Sequence, residues 1–318
     1  MSKLVLDAAV FSEAAVAPDT RMVNDAIIRA LSAIPDRWAT PLPEIRASRL
    51  AGKGVFPLPP ESPRARDETI PGPRGPVPVR IYMPDGAARG VYLHIHGGGW
   101  TLGSARENES MLDRIAAVCG LAVVSVDYAL APEQPYPAAP DDCEAAALWL
   151  VREGRDRFGT ERFAIGGESG GATLSVATLL RLRDRHLMSP FSAAVLTAGC
   201  YDLRLTPSAR NWGDLPLVLN THDITFFVNN YLRLQGRADD PDVSPLLASL
   251  KGMPKALFTV GTRDALLDDT LFMANAWLAA GNGAEMDVYP GGCHVFIGFV
   301  GTIADQALKR INGFLADF

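Results

Sequence analysis

The sequence predicts an α/β fold with a mostly parallel sheet covered by helices on both faces. Three observations carry the prediction. From residue 66 onward, apolar runs of strand length alternate with stretches of helical periodicity. The middle runs are continuously apolar rather than alternating, as strands buried on both faces require. The chain has 318 residues, 48% hydrophobic and 21% charged, which suffices for one large domain with a sizeable core.

The elements follow in order. Residues 18–35 read as an amphipathic helix, because Val23, Ile27, Leu31 and Ile34 share a face. Residues 36–63 are rich in proline and are expected to form irregular covering structure. Strands fit 66–70, 77–83, 90–95, 121–127, 162–166, 193–199, 255–261 and 285–290. Helices fit 107–119, 140–153, 170–186, 268–280 and 298–316. Gly120 and Gly281 stand where helix C-terminal caps belong. The first strands are joined by loops too short for a crossover, so that end of the sheet is expected to be antiparallel.

Residues 202–247 break the rhythm. They hold no clear strand but include an apolar helical stretch of Ile224, Phe227, Val228, Tyr231 and Leu232. A long insertion of this kind is more often functional than idle. The expected organisation is 1–45 as the N-terminal part of a cap, 46–201 as core, 202–247 as a cap insertion and 248–318 as the rest of the core.

The net charge of −6 argues against a nucleic-acid partner, which needs a basic footprint. The first residues carry one lysine and a short apolar stretch broken by Asp7, too interrupted for a signal peptide. No run of about 18 apolar residues predicts a membrane span. The cysteines, Cys119, Cys143, Cys200 and Cys293, are scattered without CxxC spacing and read as reduced, buried thiols. A cytoplasmic location is the expectation.

Two glycine-rich stretches carry chemistry. Gly167-Glu168-Ser169-Gly170-Gly171 matches G-x-S-x-G between a strand and a helix. A serine in such a strained turn needs glycine neighbours, since side chains there would clash with strand and helix. Earlier, His96-Gly97-Gly98-Gly99-Trp100 follows the strand ending at Ile95. Acyl transfer builds negative charge on a carbonyl oxygen, and unobstructed backbone N–H groups stabilise it. The expected donors are the amides of Gly98, Gly99 and Gly170, although spacing does not separate Gly97 from its two neighbours.

In this arrangement the acid and the histidine follow the serine in the chain. Three histidines remain after Ser169. His186 lies on a charged helix end and reads as solvated, and His222 sits in the insertion, where it could meet substrate. His294 follows the last strand in Pro290-Gly291-Gly292-Cys293-His294 and is the expected general base. Asp202 and Asp264 both follow strands toward the carboxyl edge. Asp264 is preferred because its strand immediately precedes that of His294. Asp268 and Asp269 read as helix N-capping residues.

With these residues placed, the chain resembles the bacterial hormone-sensitive-lipase-like (family IV) esterases of the α/β-hydrolase superfamily. The resemblance rests on His96–Trp100, on Asp127-Tyr128-Ala129-Leu130-Ala131-Pro132-Glu133 with Tyr136-Pro137-Ala138-Ala139, on Gly167–Gly171, and on Asp264-Ala265-Leu266-Leu267-Asp268-Asp269 ahead of His294. It implies the α/β-hydrolase fold with an eight-stranded sheet, a helical cap, and hydrolysis of carboxylic esters, often short-chain. It also implies Ser169, Asp264 and His294 as the triad. Two departures stand out. The elbow of this family usually reads Gly-Asp-Ser-Ala-Gly, whereas Glu168 and Gly170 occur here. The acid loop usually has proline after its aspartate, whereas Ala265 here leaves it looser. The stretch Asp127–Glu133 is expected to shape the sheet edge and support the oxyanion loop.

The expected reaction is attack of Ser169 on an ester carbonyl with His294 as base, then hydrolysis of the acyl-enzyme. It calls for no metal and no cofactor, only a small-molecule ester partner. Trp100, Trp212, Phe226 and Phe227 are candidate substrate contacts. A metal hydrolase built on His94 and His96 lacks a third ligand at suitable spacing. A non-catalytic small-ligand receptor and an amidase are the alternatives on the same fold. A homo-oligomer is compatible with the sequence but not indicated by it.

Overall fold

The computed structural model describes residues 4–34, 36–56, 58–233 and 237–318. β1 (Ala65–Ile70), β2 (Val77–Tyr82), β3 (Val91–Ile95), β4 (Ala122–Val126), β5 (Phe163–Glu168), β6 (Phe191–Thr197), β7 (Lys255–Arg263) and β8 (Ala284–Cys293) form one sheet. Their order is β1-β2-β4-β3-β5-β6-β7-β8. β1 pairs antiparallel with β2, and β2 antiparallel with β4. Every later pairing is parallel. The antiparallel end lies where the short connections placed it.

The helices are α1 (Pro18–Ser32), α2 (Leu42–Leu50), α3 (Glu109–Cys119), α4 (Ala138–Phe158), α5 (Gly170–His186), α6 (Pro207–Asn211), α7 (Thr221–Leu232), α8 (Leu267–Ala279) and α9 (Thr302–Ala316). Strand side chains alternate between two cores. Val91, Leu93 and Ile95 of β3 join residues of α4, α5 and α8, including Trp149, Leu174 and Trp277. Tyr92 joins the opposite core with Leu112 and Ile115 of α3 and Ala307 and Ile311 of α9. β3 and β4 are buried along their whole length, which is why their sequences carry no polar alternation.

Four expectations need correction. The proline-rich stretch 36–63 contains α2. Pro43 falls in its first turn, where proline initiates a helix, so the proline density disguised it. The expected cap boundary after residue 45 therefore cuts through a helix. α4 continues past residue 153, through Gly154, to Gly159, whose φ of 73° ends it. A Cβ at Gly154 would press on the Phe163 ring, so the glycine serves close helix–strand packing. Residues 296–298 form a 3₁₀ turn, and α9 starts only at Thr302. Gly120 and Gly281 do take left-handed conformations just past α3 and α8.

Asp268 and Asp269 are the fourth correction, because they stand inside the first turn of α8 rather than capping it. Their carboxylates reach the start of the insertion instead. Asp269 accepts hydrogen bonds from the N–H groups of Tyr201 (2.6 Å) and Asp202 (3.0 Å) and from the Thr206 hydroxyl. Asp268 accepts from the Ser208 N–H at 2.8 Å.

Among the described residues, the insertion at 202–247 holds α6, α7 and a 3₁₀ turn at Pro245–Leu247, with no strand. α7 begins with a capping box in which Asn220 and Asp223 bond each other's backbone N–H groups. Asp223 also receives the Arg37 Nε–H (3.1 Å) and the Trp38 indole N–H (2.8 Å), tying the insertion to the N-terminal segment. No helix among the described residues is long and apolar enough to cross a membrane.

A buried ion pair joins β2 to α3. Arg80 meets Glu109 through two hydrogen bonds of 2.8 and 2.7 Å, and both residues are buried. Tyr82 and the Ser62 N–H bond the same carboxylate. Glu109→Ala would leave a buried guanidinium without its main partner. It is expected to lower stability by about 3–5 kcal/mol in urea denaturation, and a loss under about 1 kcal/mol would refute the ion pair's role.

Burial pushes the Asp269 carboxyl up to about 7, against the opposing pull of Thr206 and the two N–H groups. The folded state then holds this proton more tightly than an unfolded chain does. Its stabilising effect is full below about pH 4 and is lost as pH rises to about 7. Asp269→Asn, which does not titrate, should gain stability relative to the parent across that window, by on the order of 4 kcal/mol. Urea midpoints compared at both ends would show it. A difference independent of pH would contradict the raised pKa.

Candidate active site

β5 ends at Glu168 and α5 begins at Gly170, which leaves Ser169 alone in the turn. Its φ is 55° and its ψ −125°, a conformation that L residues rarely adopt. The sharpness comes from crowding. A Cβ on Gly167 or Gly171 would collide with the Ile95 carbonyl oxygen of neighbouring β3. The strained residue is held on both sides. Its N–H donates to the Thr197 carbonyl of β6 (2.9 Å), and its own carbonyl accepts from the Ala172 N–H (3.0 Å).

The register of β7 and β8 places the next two groups. Arg263 pairs with Cys293, so Asp264 and His294 leave adjacent parallel strands side by side. The last strand, expected to end at residue 290, instead continues as β8 up to Cys293. His294 Nδ1 lies 3.0 Å from each Asp264 carboxylate oxygen, and His294 Nε2 lies 2.8 Å from Ser169 Oγ. The acceptor carboxylate makes Nδ1 the proton-bearing nitrogen, which leaves Nε2 to accept from the serine hydroxyl. All three residues are buried, Ser169 to 8% exposure. Asp202, the competing acid, is paired with Arg204. His186 bonds Glu144, and His222 is exposed on α7.

Two braces were missed. Asn24 on α1 donates to the Gly291 carbonyl at 2.8 Å, three residues before His294. Its signal was a polar residue, with Thr20, on the apolar face of a helix. Ser208 holds the acid loop: its hydroxyl donates to the Ala265 carbonyl (2.9 Å) and accepts the Asp268 N–H (3.0 Å). The looseness expected from Ala265 is offset by this clamp.

The register of β3 and β5 sets the glycine loop beside the elbow, since Ile95 pairs with Gly167. The Gly97 N–H donates to Glu168 Oε1 at 2.9 Å, so it is already engaged. Among the described residues, the N–H groups of Gly98, Gly99 and Gly170 meet no acceptor. Gly98 and Gly99 have φ values of 108° and 58°. The stretch 127–133 buttresses this loop: the Tyr128 hydroxyl donates to the His96 carbonyl (2.8 Å), and the Ala131 N–H to the Trp100 carbonyl (2.8 Å). Arg46 of α2 adds bonds to the Thr101 and Ala131 carbonyls.

The four candidate substrate contacts separate. Trp100 is only 2% exposed, stacks on Tyr231 and donates its indole N–H to the Gly170 carbonyl, so it backs the elbow rather than lining open space. Trp212 lies half-buried in the insertion and bonds the Leu215 carbonyl. Phe227 lies directly against Gly99, where a Cβ would strike its ring. Phe226 stacks on Trp38, which also meets Phe227 edge-on. His94 places both ring nitrogens on protein partners, Ser125 and Glu168. Among the described residues, no group of three or more His, Cys, Asp or Glu is arranged to hold a metal ion.

A family profile described as an alpha/beta hydrolase fold matches residues 92–298. The carboxylic ester hydrolase LipN of Mycobacterium tuberculosis is 36% identical over 240 residues, 73% of this chain and 64% of LipN's own length. An acetyl esterase of Salmonella schwarzengrund is 28% identical over 245 residues, 76% of each chain. The hyperthermophilic esterase from the archaeon Pyrobaculum calidifontis superposes with a TM-score of 0.84 at 28% identity, over 95% of this chain and 98% of that one. A hormone-sensitive lipase from a metagenome library gives 0.80 at 28%, over 94% and 96%. The chain belongs to the α/β-hydrolase fold family, among its hormone-sensitive-lipase-like carboxylic ester hydrolases.

Proposed function

We propose that this carboxylesterase hydrolyses short-to-medium-chain esters through an acyl-enzyme on Ser169. The observation that carries the reading is the hydrogen-bonded line from Ser169 Oγ through His294 to Asp264. His294 takes the hydroxyl proton as Oγ attacks the ester carbonyl, and Asp264 steadies the resulting imidazolium. The developing oxyanion is met by the amides of Gly98, Gly99 and Gly170, one of which is worth about 3 kcal/mol in such a site. His294 then returns its proton to the departing alcohol. Water, activated by the same imidazole, releases the acid.

The N-terminal segment and the 202–247 insertion act in this reading as a cap. The contact of Phe227 with Gly99 supports it, because it brings the insertion to the oxyanion loop. Phe227, held by Trp38 and Phe226, limits the length of the acyl chain. Four free, buried cysteines support a reducing, cytoplasmic setting.

Ser169→Ala, assayed with p-nitrophenyl esters from acetyl to palmitoyl, should lose about 10⁴–10⁶ in kcat. Turnover at the parent rate would end the nucleophile assignment. Phe227→Ala should raise kcat/KM for octanoyl over acetyl esters by about tenfold or more, the effect of at least one methylene in an apolar pocket. An unchanged chain-length profile would exclude Phe227 as the limit.

A further inference from the structure

We propose that Glu168 is a positioning residue that sets the register of the oxyanion loop, by drawing the Gly97 N–H out of the hole and leaving those of Gly98 and Gly99 to face substrate. The inference rests on the reading of Ser169 as nucleophile and of these amides as oxyanion donors.

Glu168 is the last residue of β5 and directly precedes the serine. It is 4% exposed and fully bonded. Oε1 accepts from the Gly97 N–H (2.9 Å) and from Asn108 Nδ2 (2.7 Å). Oε2 meets His94 Nε2 at 3.1 Å, and the other ring nitrogen of His94 meets Ser125 Oγ at 2.9 Å. The carboxylate thus joins the elbow, the end of β3, the segment before α3 and β4. Burial alone would raise its pKa, but the charge and hydrogen bond of His94 and the Gly97 N–H outweigh it and hold the group below the ordinary carboxylate range. It is therefore an acceptor on both oxygens near neutral pH.

Three consecutive glycines have no side chains to choose which N–H faces the ester, so something outside the loop must choose. A bond at the first amide does so. With Gly97 N–H turned to Glu168, the left-handed turns at Gly98 and Gly99 carry their own N–H groups elsewhere. The loop also packs on the elbow too closely to slide, since a Cβ at Gly97 would stand 2.9 Å from the Glu168 carbonyl oxygen. The bond depends on side-chain length. Aspartate would withdraw the acceptor by roughly 1.5 Å, beyond hydrogen-bond reach of Gly97 N–H. Glutamine would keep an oxygen in place, with His94 carrying no proton on Nε2 so that this nitrogen accepts from its amide.

The test is a series in the full chain: Glu168→Gln, Glu168→Asp and Glu168→Ala, with Ser169→Ala as control and thermal unfolding recorded for each. With p-nitrophenyl butyrate, the Asp and Ala variants should lose about ten- to a hundredfold in kcat while KM moves by less than about twofold, because oxyanion donors act in the transition state. The Gln variant should lose less than about fivefold. The inhibition constant of an aryl trifluoromethyl ketone, which forms a tetrahedral adduct with the serine, should rise in step with the loss of kcat/KM. A merely structural residue would not produce this split. Retained kcat in Asp with loss in Gln would show that charge matters rather than reach, and would overturn the proposal. So would full kcat in the Ala variant, or inhibitor affinity unaltered in folded Asp and Ala proteins. If Ser169→Ala stays active, the nucleophile assignment fails and this inference with it. If Ser169→Ala is inactive and the Glu168 series is flat, only the positioning role fails.

Discussion

Everything in this site depends on parallel strands ending in register. Ile95 opposite Gly167 and Arg263 opposite Cys293 are backbone pairings within two residues of the candidate site, and each fixes which residues meet just above the sheet edge. One residue of slip between β7 and β8 would turn the side chains of one strand to the other face and part Asp264 from His294. Nothing in the two loops could recover a 3.0 Å contact after that. The register is secured by the helices on both faces, because the apolar residues of the central strands pack in one of two cores. Burial of strands is thus an indirect determinant of proton transfer.

Above the sheet, backbone ladders give way to buried polar side chains. Asn24 holds the carbonyl of Gly291, Asp269 gathers the start of the insertion, Glu168 holds the glycine loop, and Tyr128 holds it from the other side. Each group is shielded from water, so leaving it unpaired would cost far more than its bond contributes. That asymmetry gives loops the precision of secondary structure. It also explains why Ser169 can persist in a strained conformation: its neighbours over-determine it.

The parts legible in the sequence were those with local causes. Strand runs, left-handed glycine caps and the G-x-S-x-G turn are written within a few consecutive residues, and all eight strands fall near their expected ranges. α2 was hidden by its prolines, because the feature that starts a helix is also the one that breaks it. Asp268 and Asp269 looked like caps, since sequence offers no view of Tyr201 and Ser208 across the fold. The glycine loop does not show in sequence that its first amide is engaged, because the Glu168 carboxylate that accepts it comes from another strand. Asn24 could have been flagged as a polar residue on an apolar face, but its partner 267 positions away could not.

That separation has a consequence for synthesis. α1 is made before β8, at about 5–20 residues per second, and the Gly291 carbonyl that Asn24 bonds emerges 267 positions later. The residues of β8 that carry His294 arrive only after the elbow, the glycine loop and the insertion have already been made. Ser169 is therefore made well before His294, the residue whose ring nitrogen it meets. The contact between Ser169 and His294 thus forms only once β8 pairs beside β7 and α1 packs against the backbone just ahead of His294.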